Sequence, residues 1–300
     1  MADYQVEEVG SLDKWGDFYG GFSPESSYLG RRVLDKDLPF EFFGVTVNSR
    51  LPGEGVDFWH SHSKLEELYL FLEGEGEMGL DDDIVPVKAG TAVRVGQGVM
   101  RIWRCTPDSP TPLKWICIRA GGDRLANLAG DATKAMASER PLALAVAVAQ
   151  EGIVTDYQVA EVGSLVAWGG FLGGFTPENS YLGRRVLEQE LPLTFFGVTV
   201  NSSEPGESID YWHSHSIKDE LYFFLDGEGE MGLDDEVVPV KAGSAVWVGQ
   251  GVMRTWRCTP SSPTALKWLC IRAGGAPLAE LSGEHGDWTK LKASERPLPW

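Results

Sequence analysis

Two short His-x-His segments carry the clearest chemical signal in the sequence. They read His60-Ser61-His62 and His213-Ser214-His215, and together they hold four of the five histidines. On a β-strand, side chains two residues apart lie on the same face, so both imidazoles of a segment can converge on one metal ion. After four intervening residues each segment is followed by a glutamate, Glu67 or Glu220. Two histidines and a carboxylate, with other positions open, suit Fe(II) and also Mn, Ni or Zn.

The His-x-His segments also have an interpretation without metal, and a second pair of carboxylates could supply the third ligand. Two neutral histidines that hydrogen-bond within a sheet would leave the same pattern. Glu66 and Asp219 are acidic neighbours of the two glutamates. We prefer Glu67 and Glu220 because they lead directly into a predicted strand. The predicted metal ligands are therefore His60, His62, Glu67, His213, His215 and Glu220.

The same set occurs twice because the chain contains an internal repeat. Residues 3–122 align without a gap on residues 156–275, with about three-quarters of the positions identical. A period this long, found twice, indicates two copies of one domain and not a solenoid. We predict a first domain at 1–140, a linker at 141–153 and a second domain at 154–300.

The elements that must position these side chains are predicted to be β-strands. In each copy, short apolar or alternating runs are separated by Gly, Pro and acidic turns, and no stretch among them has a helical period. Eight such strands predict an all-β fold, a closed antiparallel barrel or a jelly roll. In the first copy they are Phe42–Asn48, Asp57–His62, Glu67–Glu73, Glu77–Leu80, Ile84–Val87, Thr91–Val95, Arg101–Cys105 and Lys114–Arg119.

Composition excludes several classes of function. The chain has 44 acidic and 26 basic residues and a formal net charge of −18, which disfavours nucleic acid and membrane partners. It has neither a signal-peptide pattern nor an apolar run of the ~20 residues needed to cross a bilayer. Four cysteines in 300 residues are too few for a disulfide framework. We therefore expect a cytoplasmic protein with reduced thiols.

Both copies resemble the cupin family. The first cupin motif matches His60-x-His62, Glu67 and, after six residues, Gly74. The second cupin motif matches in its spacing. Gly90, Gly96 and Gly98 are followed by Arg101 and Cys105, which stand where the motif has His and Asn. The resemblance implies two tandem cupin barrels (double-stranded β-helices, or jelly rolls) that form a bicupin. It further implies an internal pseudo-dimer about a pseudo-two-fold axis, which can assemble into a homo-oligomer.

The sequence departs from the family at a position that matters for metal binding. Arg101 in the first copy and Arg254 in the second replace the histidine that is the fourth metal ligand in cupins. Arginine stays protonated and does not bind metal. It could anchor an anionic substrate beside a three-ligand metal, or it could replace the metal and neutralise the glutamate as a buried ion pair.

Two functions therefore stay open at this point. In the first, each barrel is an enzyme site with a divalent metal, of the non-haem Fe(II) or Mn type, and Arg101 and Arg254 anchor a small anionic substrate. The resemblance implies oxygenase, isomerase, lyase or decarboxylase chemistry for such a site. In the second, the protein is a metal-free bicupin that binds a small ligand or serves as a scaffold.

Overall fold

The fold is almost entirely β in the computed structural model, which describes residues 3–138, 156–281 and 287–300. The predicted linker at 141–153 lies outside these residues. The strands that precede it are β1 (Tyr4–Glu8), β2 (Tyr19–Gly20), β3 (Tyr28–Leu29), β4 (Arg31–Val33), β5 (Phe43–Arg50), β6 (Phe58–His62), β7 (Glu66–Glu73), β8 (Glu75–Leu80), β9 (Asp83–Lys88), β10 (Thr91–Val95), β11 (Arg101–Cys105), β12 (Leu113–Ala120) and β13 (Ala132–Met136).

The second half repeats this order. Its strands are β14 (Tyr157–Glu161), β15 (Leu172–Gly173), β16 (Tyr181–Leu182), β17 (Arg184–Val186), β18 (Phe196–Ser203), β19 (Tyr211–His215), β20 (Asp219–Asp226), β21 (Glu228–Leu233), β22 (Glu236–Lys241), β23 (Ser244–Val248), β24 (Arg254–Cys258), β25 (Leu266–Ala273) and β26 (Trp288–Lys292). The α-helix α1 spans Leu278–Leu281, and short 3-10 helices span Leu12–Asp17, Pro24–Ser26, Leu34–Lys36, Leu125–Leu128, Leu165–Gly170, Pro177–Asn179 and Leu187–Gln189. Within the described ranges, no helix has the length and apolar character needed to cross a lipid bilayer.

The chain forms two compact units, each with the two facing sheets of a jelly roll. The first barrel comprises Asp13–Asp35 and Gly44–Leu165, and the second comprises Met1–Leu12, Lys36–Phe43 and Val166–Trp300. In the first barrel a six-stranded sheet has the order β14-β10-β7-β12-β5-β4, and a five-stranded sheet has the order β13-β6-β11-β8-β9. In the second barrel the corresponding orders are β1-β23-β20-β25-β18-β17 and β22-β21-β24-β19-β26. The eight strands predicted for the first copy all form, with ends within two residues of those predicted.

The two copies of the repeat exchange their first strands. Strand β14, from the second copy, pairs with β10 in the first barrel, and β1, from the first copy, pairs with β23 in the second barrel. Gly90 lies at this junction in the first barrel, with a φ of +95°, and a Cβ there would lie 2.6 Å from the backbone of Gly163. The predicted boundaries at 1–140 and 154–300 follow the sequence copies. The compact units differ from them, because Met1–Leu12 and Lys36–Phe43 belong to the second barrel and the first barrel extends to Leu165.

The acidic residue before each site glutamate lies in a different environment in the two barrels. Glu66 accepts a 2.7 Å hydrogen bond from Nε of Arg94. In the second barrel Trp247 stands at the position of Arg94, and its Nε1 donates a 2.9 Å hydrogen bond to Oδ2 of Asp219. Asp219 is only 2% exposed, and this burial raises the pKa of its carboxyl to about 6.

Replacing Asp219 with Asn is expected to stabilise the protein at neutral pH. The folded carboxyl titrates near 6 instead of its ordinary 3.8, so the folded state binds more protons between these values and loses stability as the pH rises through them. Asp219→Asn should therefore raise the free energy of unfolding by roughly 1–3 kcal/mol at pH 7.5, and the gain should vanish near pH 4. Urea unfolding at several pH values measures both effects.

The matched control is Glu66→Gln in the first barrel. Because Glu66 has Arg94 as its partner, this change should lower stability at pH 7.5. A gain of similar size from both substitutions would contradict the assignment of Asp219 as a buried charge that no described arginine neutralises.

Candidate metal centre

The predicted ligands come from strands in the two facing sheets of each barrel. In the first barrel, His60 and His62 lie on β6 of the five-stranded sheet, and Glu67 lies on β7 of the six-stranded sheet. The short turn at residues 63–65 connects the two strands, so the chain crosses from one sheet to the other within the motif. The spacing of four residues between His62 and Glu67 is what this crossing requires.

The three donor groups converge as the sequence predicts. In both barrels one ligand atom from each of the two histidines and the glutamate lies within 4.8 Å of the others. Nε2 of His62 is 3.5 Å from Oε1 of Glu67, and Nε2 of His60 is 3.8 Å from Oε2. In the second barrel, the distances from His215 and His213 to Glu220 are 3.4 and 3.7 Å.

An aspartate that sequence reasoning missed orients one histidine of each pair. Oδ1 of Asp131 lies 2.7 Å from Nδ1 of His62, and Oδ2 of Asp287 lies 2.8 Å from Nδ1 of His215. A carboxylate only accepts hydrogen bonds, so Nδ1 carries a proton, and in the neutral ring Nε2 keeps its lone pair. The repeated Gly-Asp-x-Thr-Lys sequence marks these aspartates, but a three-residue insertion displaces the second from the gap-free alignment.

The other histidine of each pair is buried and neutral. Burial, reinforced by the charge of Arg101, lowers the pKa of His60 well below its ordinary value. Burial lowers the pKa of His213 to about 4. Nδ1 of each of these two imidazoles has no hydrogen-bond partner among the residues that the structure describes. At neutral pH both rings therefore lack a charge, as metal binding requires.

The glutamate presents its two oxygens differently. Oε2 of Glu67 accepts hydrogen bonds from the hydroxyl of Tyr69 at 2.6 Å and from Nε and Nη2 of Arg101 at 2.9 and 2.6 Å. Oε1 faces Nε2 of His62 and the thiol of Cys117, at 3.5 and 3.6 Å. Burial alone would raise the pKa of Glu67, but the Arg101 guanidinium holds it well below the usual range.

The two arginines that replace the fourth ligand lie behind the glutamates. Arg101 is fully buried, and its Nη1 donates to the carbonyl oxygen of Val99 at 2.7 Å. Arg254 donates from Nε to Oε2 of Glu220 at 2.9 Å and from Nη1 to the carbonyl oxygen of Val252, but its Nη2 has no hydrogen-bond partner among the described residues. Neither arginine is among the described residues that line the cavity at the site. These contacts match the ion-pair interpretation of the two arginines, and a role as substrate anchor remains a prediction.

Each site opens into a cavity with an aromatic wall. The cavity volume is about 460 Å³ in the first barrel and about 590 Å³ in the second. Both histidines and the glutamate line the cavity in each case, so a bound molecule would contact them directly. Trp103, Trp115 and Phe58 form part of the wall in the first barrel.

The donor set fits a divalent ion. His60, His62 and Glu67 would hold the ion through two imidazole nitrogens and one carboxylate oxygen. The Asp131–His62 pair is the arrangement that commonly supports a metal-bound histidine. The guanidinium of Arg101 lowers the affinity of this site, because it adds a positive charge beside the ion at low dielectric constant.

Comparison with known proteins decides the family. The model of the cupin domain matches residues 49–119 and 201–272, and these two segments include the His, His and Glu residues of both sites. The chain is a tandem cupin. Among the curated proteins compared, none matches its sequence.

Solved structures show the same bicupin fold. Coconut allergen cocosin superposes with a TM-score of 0.56 at 11% identity, over 78% of each chain. A mutant of Bacillus subtilis oxalate decarboxylase OxdC has a TM-score of 0.56 at 11% identity, over 87% of this chain and 74% of that one. Oxalate decarboxylase from Lactobacillus farciminis, in a formate complex, has a TM-score of 0.54 at 11% identity, over 87% and 83%.

Replacing Arg101 with Met is expected to destabilise this bicupin strongly. The carboxylate of Glu67 would stay buried without its cation, a change that costs about 3–5 kcal/mol in comparable sites. Urea unfolding of metal-free protein measures the loss. The double variant Arg101→Met, Glu67→Gln should recover part of it, because the buried charge is then gone.

Arg104 on the same strand provides the matched control. It forms a partly exposed ion pair with Glu77, and such pairs contribute about 1 kcal/mol or less. Equal losses from Arg101→Met and Arg104→Met would show that the buried pair has no special role.

Proposed function

We propose that this bicupin is a metal-dependent enzyme that acts on a small molecule in each of its two cavities. The observation that carries the proposal is the convergence of His60, His62 and Glu67 at the cavity wall, repeated by His213, His215 and Glu220. The three residues of each set line a cavity, from which a substrate can approach them.

The surrounding residues hold the ligand atoms in place. Asp131 keeps the proton of His62 on Nδ1, which directs the Nε2 lone pair towards Glu67. Tyr69 and Arg101 both donate hydrogen bonds to Oε2 of Glu67. Oε1 is therefore the oxygen that remains available to bind a metal ion. When bound, the divalent metal would act as a Lewis acid that polarises an oxygen atom of the substrate.

The reaction class is proposed from the family and from the structural relatives. Oxygenase, isomerase, lyase and decarboxylase chemistry all suit an open site with two histidines and a glutamate. The similar fold of oxalate decarboxylase, and the Mn(II) centres named for the Bacillus subtilis protein, make Mn(II) and Fe(II) the first metals to test. A location in the cytoplasm is part of the same proposal.

A metal-free binding protein is the second candidate. It is favoured by the ion pair between Arg101 and Glu67, which neutralises the only carboxylate of the three-residue set. In that case His60 and His62 would act as neutral hydrogen-bonding groups for a small ligand, and the cavities would bind without catalysing a reaction.

Metal content separates the two candidates. Untagged protein purified without chelators, or loaded anaerobically with Mn(II) or Fe(II), is expected to hold about two equivalents per chain, one for each set. His60→Ala should reduce this to one, and His60→Ala with His213→Ala should abolish it. Inductively coupled plasma mass spectrometry gives the content, and absence of metal from all loaded samples would support the binding protein.

Activity is then tested on the loaded protein. Small carboxylates are screened for release of CO₂ and for consumption of O₂, with the double alanine variant as the blank. Turnover by the parent and none by the blank supports the enzyme. Full metal content with no turnover in either assay would favour metal-assisted binding.

Removing the carboxylate that orients His62 is expected to weaken metal binding in one barrel only. Asp131→Asn can no longer fix the Nδ1–H tautomer, and loss of such a group typically costs 10- to 100-fold in affinity. Titration with Mn(II), followed by electron paramagnetic resonance of the free ion, should show one weakened and one unchanged site. Asp108→Asn, at an exposed turn, is the control, and two unchanged sites in Asp131→Asn would contradict the role of Asp131.

A further inference from the structure

One arginine on each cavity wall has no acidic partner among the described residues. In the first barrel this is Arg31 on β4, which lines the cavity together with the His and Glu set. Its guanidinium lies over the rings of Phe22 and Tyr28, with Cζ 4.8 and 5.1 Å from their centroids. Nε of Arg31 is buried, and no hydrogen-bond partner for it occurs within the part of the chain that the structure describes.

The second barrel contains the same arrangement. Arg184 on β17 lines its cavity and lies 4.6 Å from the ring centroid of Phe175 and 5.0 Å from that of Tyr181. Its Nε is also buried without a partner in the described ranges. A buried donor left unsatisfied is costly, and it occurs here at equivalent positions of two barrels.

The other arginines near the first cavity already have carboxylate partners. Arg119, which also lines the cavity, forms an ion pair with Asp35. Arg101, behind the wall, is paired with Glu67. Arg31 therefore remains available for a ligand, and Lys134 adds a second positive charge at the cavity lining, 4.7 Å from the ring centroid of Phe58.

The charge of the cavity lining contrasts with that of the rest of the molecule. The whole chain has a formal net charge of −18. The first cavity is lined by three basic side chains and three acidic ones, so its lining is formally neutral. An anionic occupant thus meets less electrostatic repulsion in the cavity than the net charge of the chain suggests.

Arg31 lines the same cavity as His60, His62 and Glu67. An anion held by Arg31 would therefore lie in the same cavity as the proposed metal ligands.

We propose that Arg31 and Arg184 bind the carboxylate group of a small organic monoanion, with its apolar body against the aromatic wall of the cavity. A guanidinium donates two parallel hydrogen bonds to a carboxylate, and its two Nη groups can form such a pair. The one unpaired arginine per cavity provides a bidentate partner for one carboxylate group, and Phe58, Trp103 and Trp115 match an apolar body. The inference deepens the proposed function by naming the substrate class, and it rests on that function for the reaction at the adjacent ligands.

Binding of defined carboxylates tests the inference. Isothermal titration calorimetry is performed with acetate, benzoate and phenylacetate, with phenylacetamide as the neutral analogue and inorganic phosphate as the second anion. Phenylacetate is expected to bind at least tenfold more tightly than phenylacetamide. Arg31→Met with Arg184→Met should weaken phenylacetate binding tenfold or more and leave phenylacetamide binding unchanged.

The control is the pair Arg104→Met and Arg257→Met, whose side chains form partly exposed ion pairs with Glu77 and Glu230. Circular dichroism melting establishes that each variant is folded. Equal affinity of the parent and the Arg31, Arg184 variant for phenylacetate overturns the inference, as does the absence of saturable binding of all three carboxylates. Phosphate binding that is tighter than phenylacetate binding and depends on Arg31 would replace the monocarboxylate with an inorganic anion.

The titrations are carried out on chelator-treated and on Mn(II)-loaded protein, which keeps the two proposals separable. Arg31-dependent binding in the chelator-treated protein supports the carboxylate subsite even if no metal binds. Metal binding together with carboxylate affinity that does not depend on Arg31 overturns only the subsite.

Discussion

The buried contact between Arg101 and Glu67, with its counterpart between Arg254 and Glu220, is the interaction on which each site depends. A carboxylate this deep in a barrel has to be neutralised, because its desolvation costs several kcal/mol. In this protein a guanidinium on the facing sheet neutralises it permanently. The contact engages Oε2 only, so Oε1 stays directed towards His62. A single ion pair thus both stabilises the charge and selects the oxygen that can bind a ligand.

The architecture explains why such a pair can coexist with a metal site. His60 on β6 and Arg101 on β11 are paired residues of one sheet, whereas Glu67 lies on the facing sheet. Arg101 and His60 therefore approach Oε2 of the glutamate, whereas His62 approaches Oε1. Arg31, on β4 of the sheet that carries Glu67, adds a cation that no described carboxylate neutralises. The result is a cavity that holds an unpaired arginine within an acidic protein.

The sequence predicted the parts of this arrangement that depend on local pattern. The eight strands, the repeat and the His, His and Glu sets follow from alternation and spacing, and their positions agree with the structure. The parts that depend on long-range pairing could not be predicted. Asp131 contacts His62 although the two lie 69 residues apart in the sequence. Nothing in the sequence distinguishes Arg31 from the other arginines, because only its surroundings in the fold leave it unpaired. The strand exchange could not be predicted either. Because the two copies are so similar, β1 and β14 could each pair with either β10 or β23.

Anomalous X-ray diffraction from crystals soaked in Mn(II) tests the central claim most directly. The account predicts one manganese peak in each barrel, within bonding distance of Nε2 of both histidines and of Oε1 of the glutamate, while Arg101 and Arg254 remain on Oε2. Crystals that show no peak at either set after soaking, with both ion pairs intact, would contradict it and leave a protein whose arginines have replaced the metal.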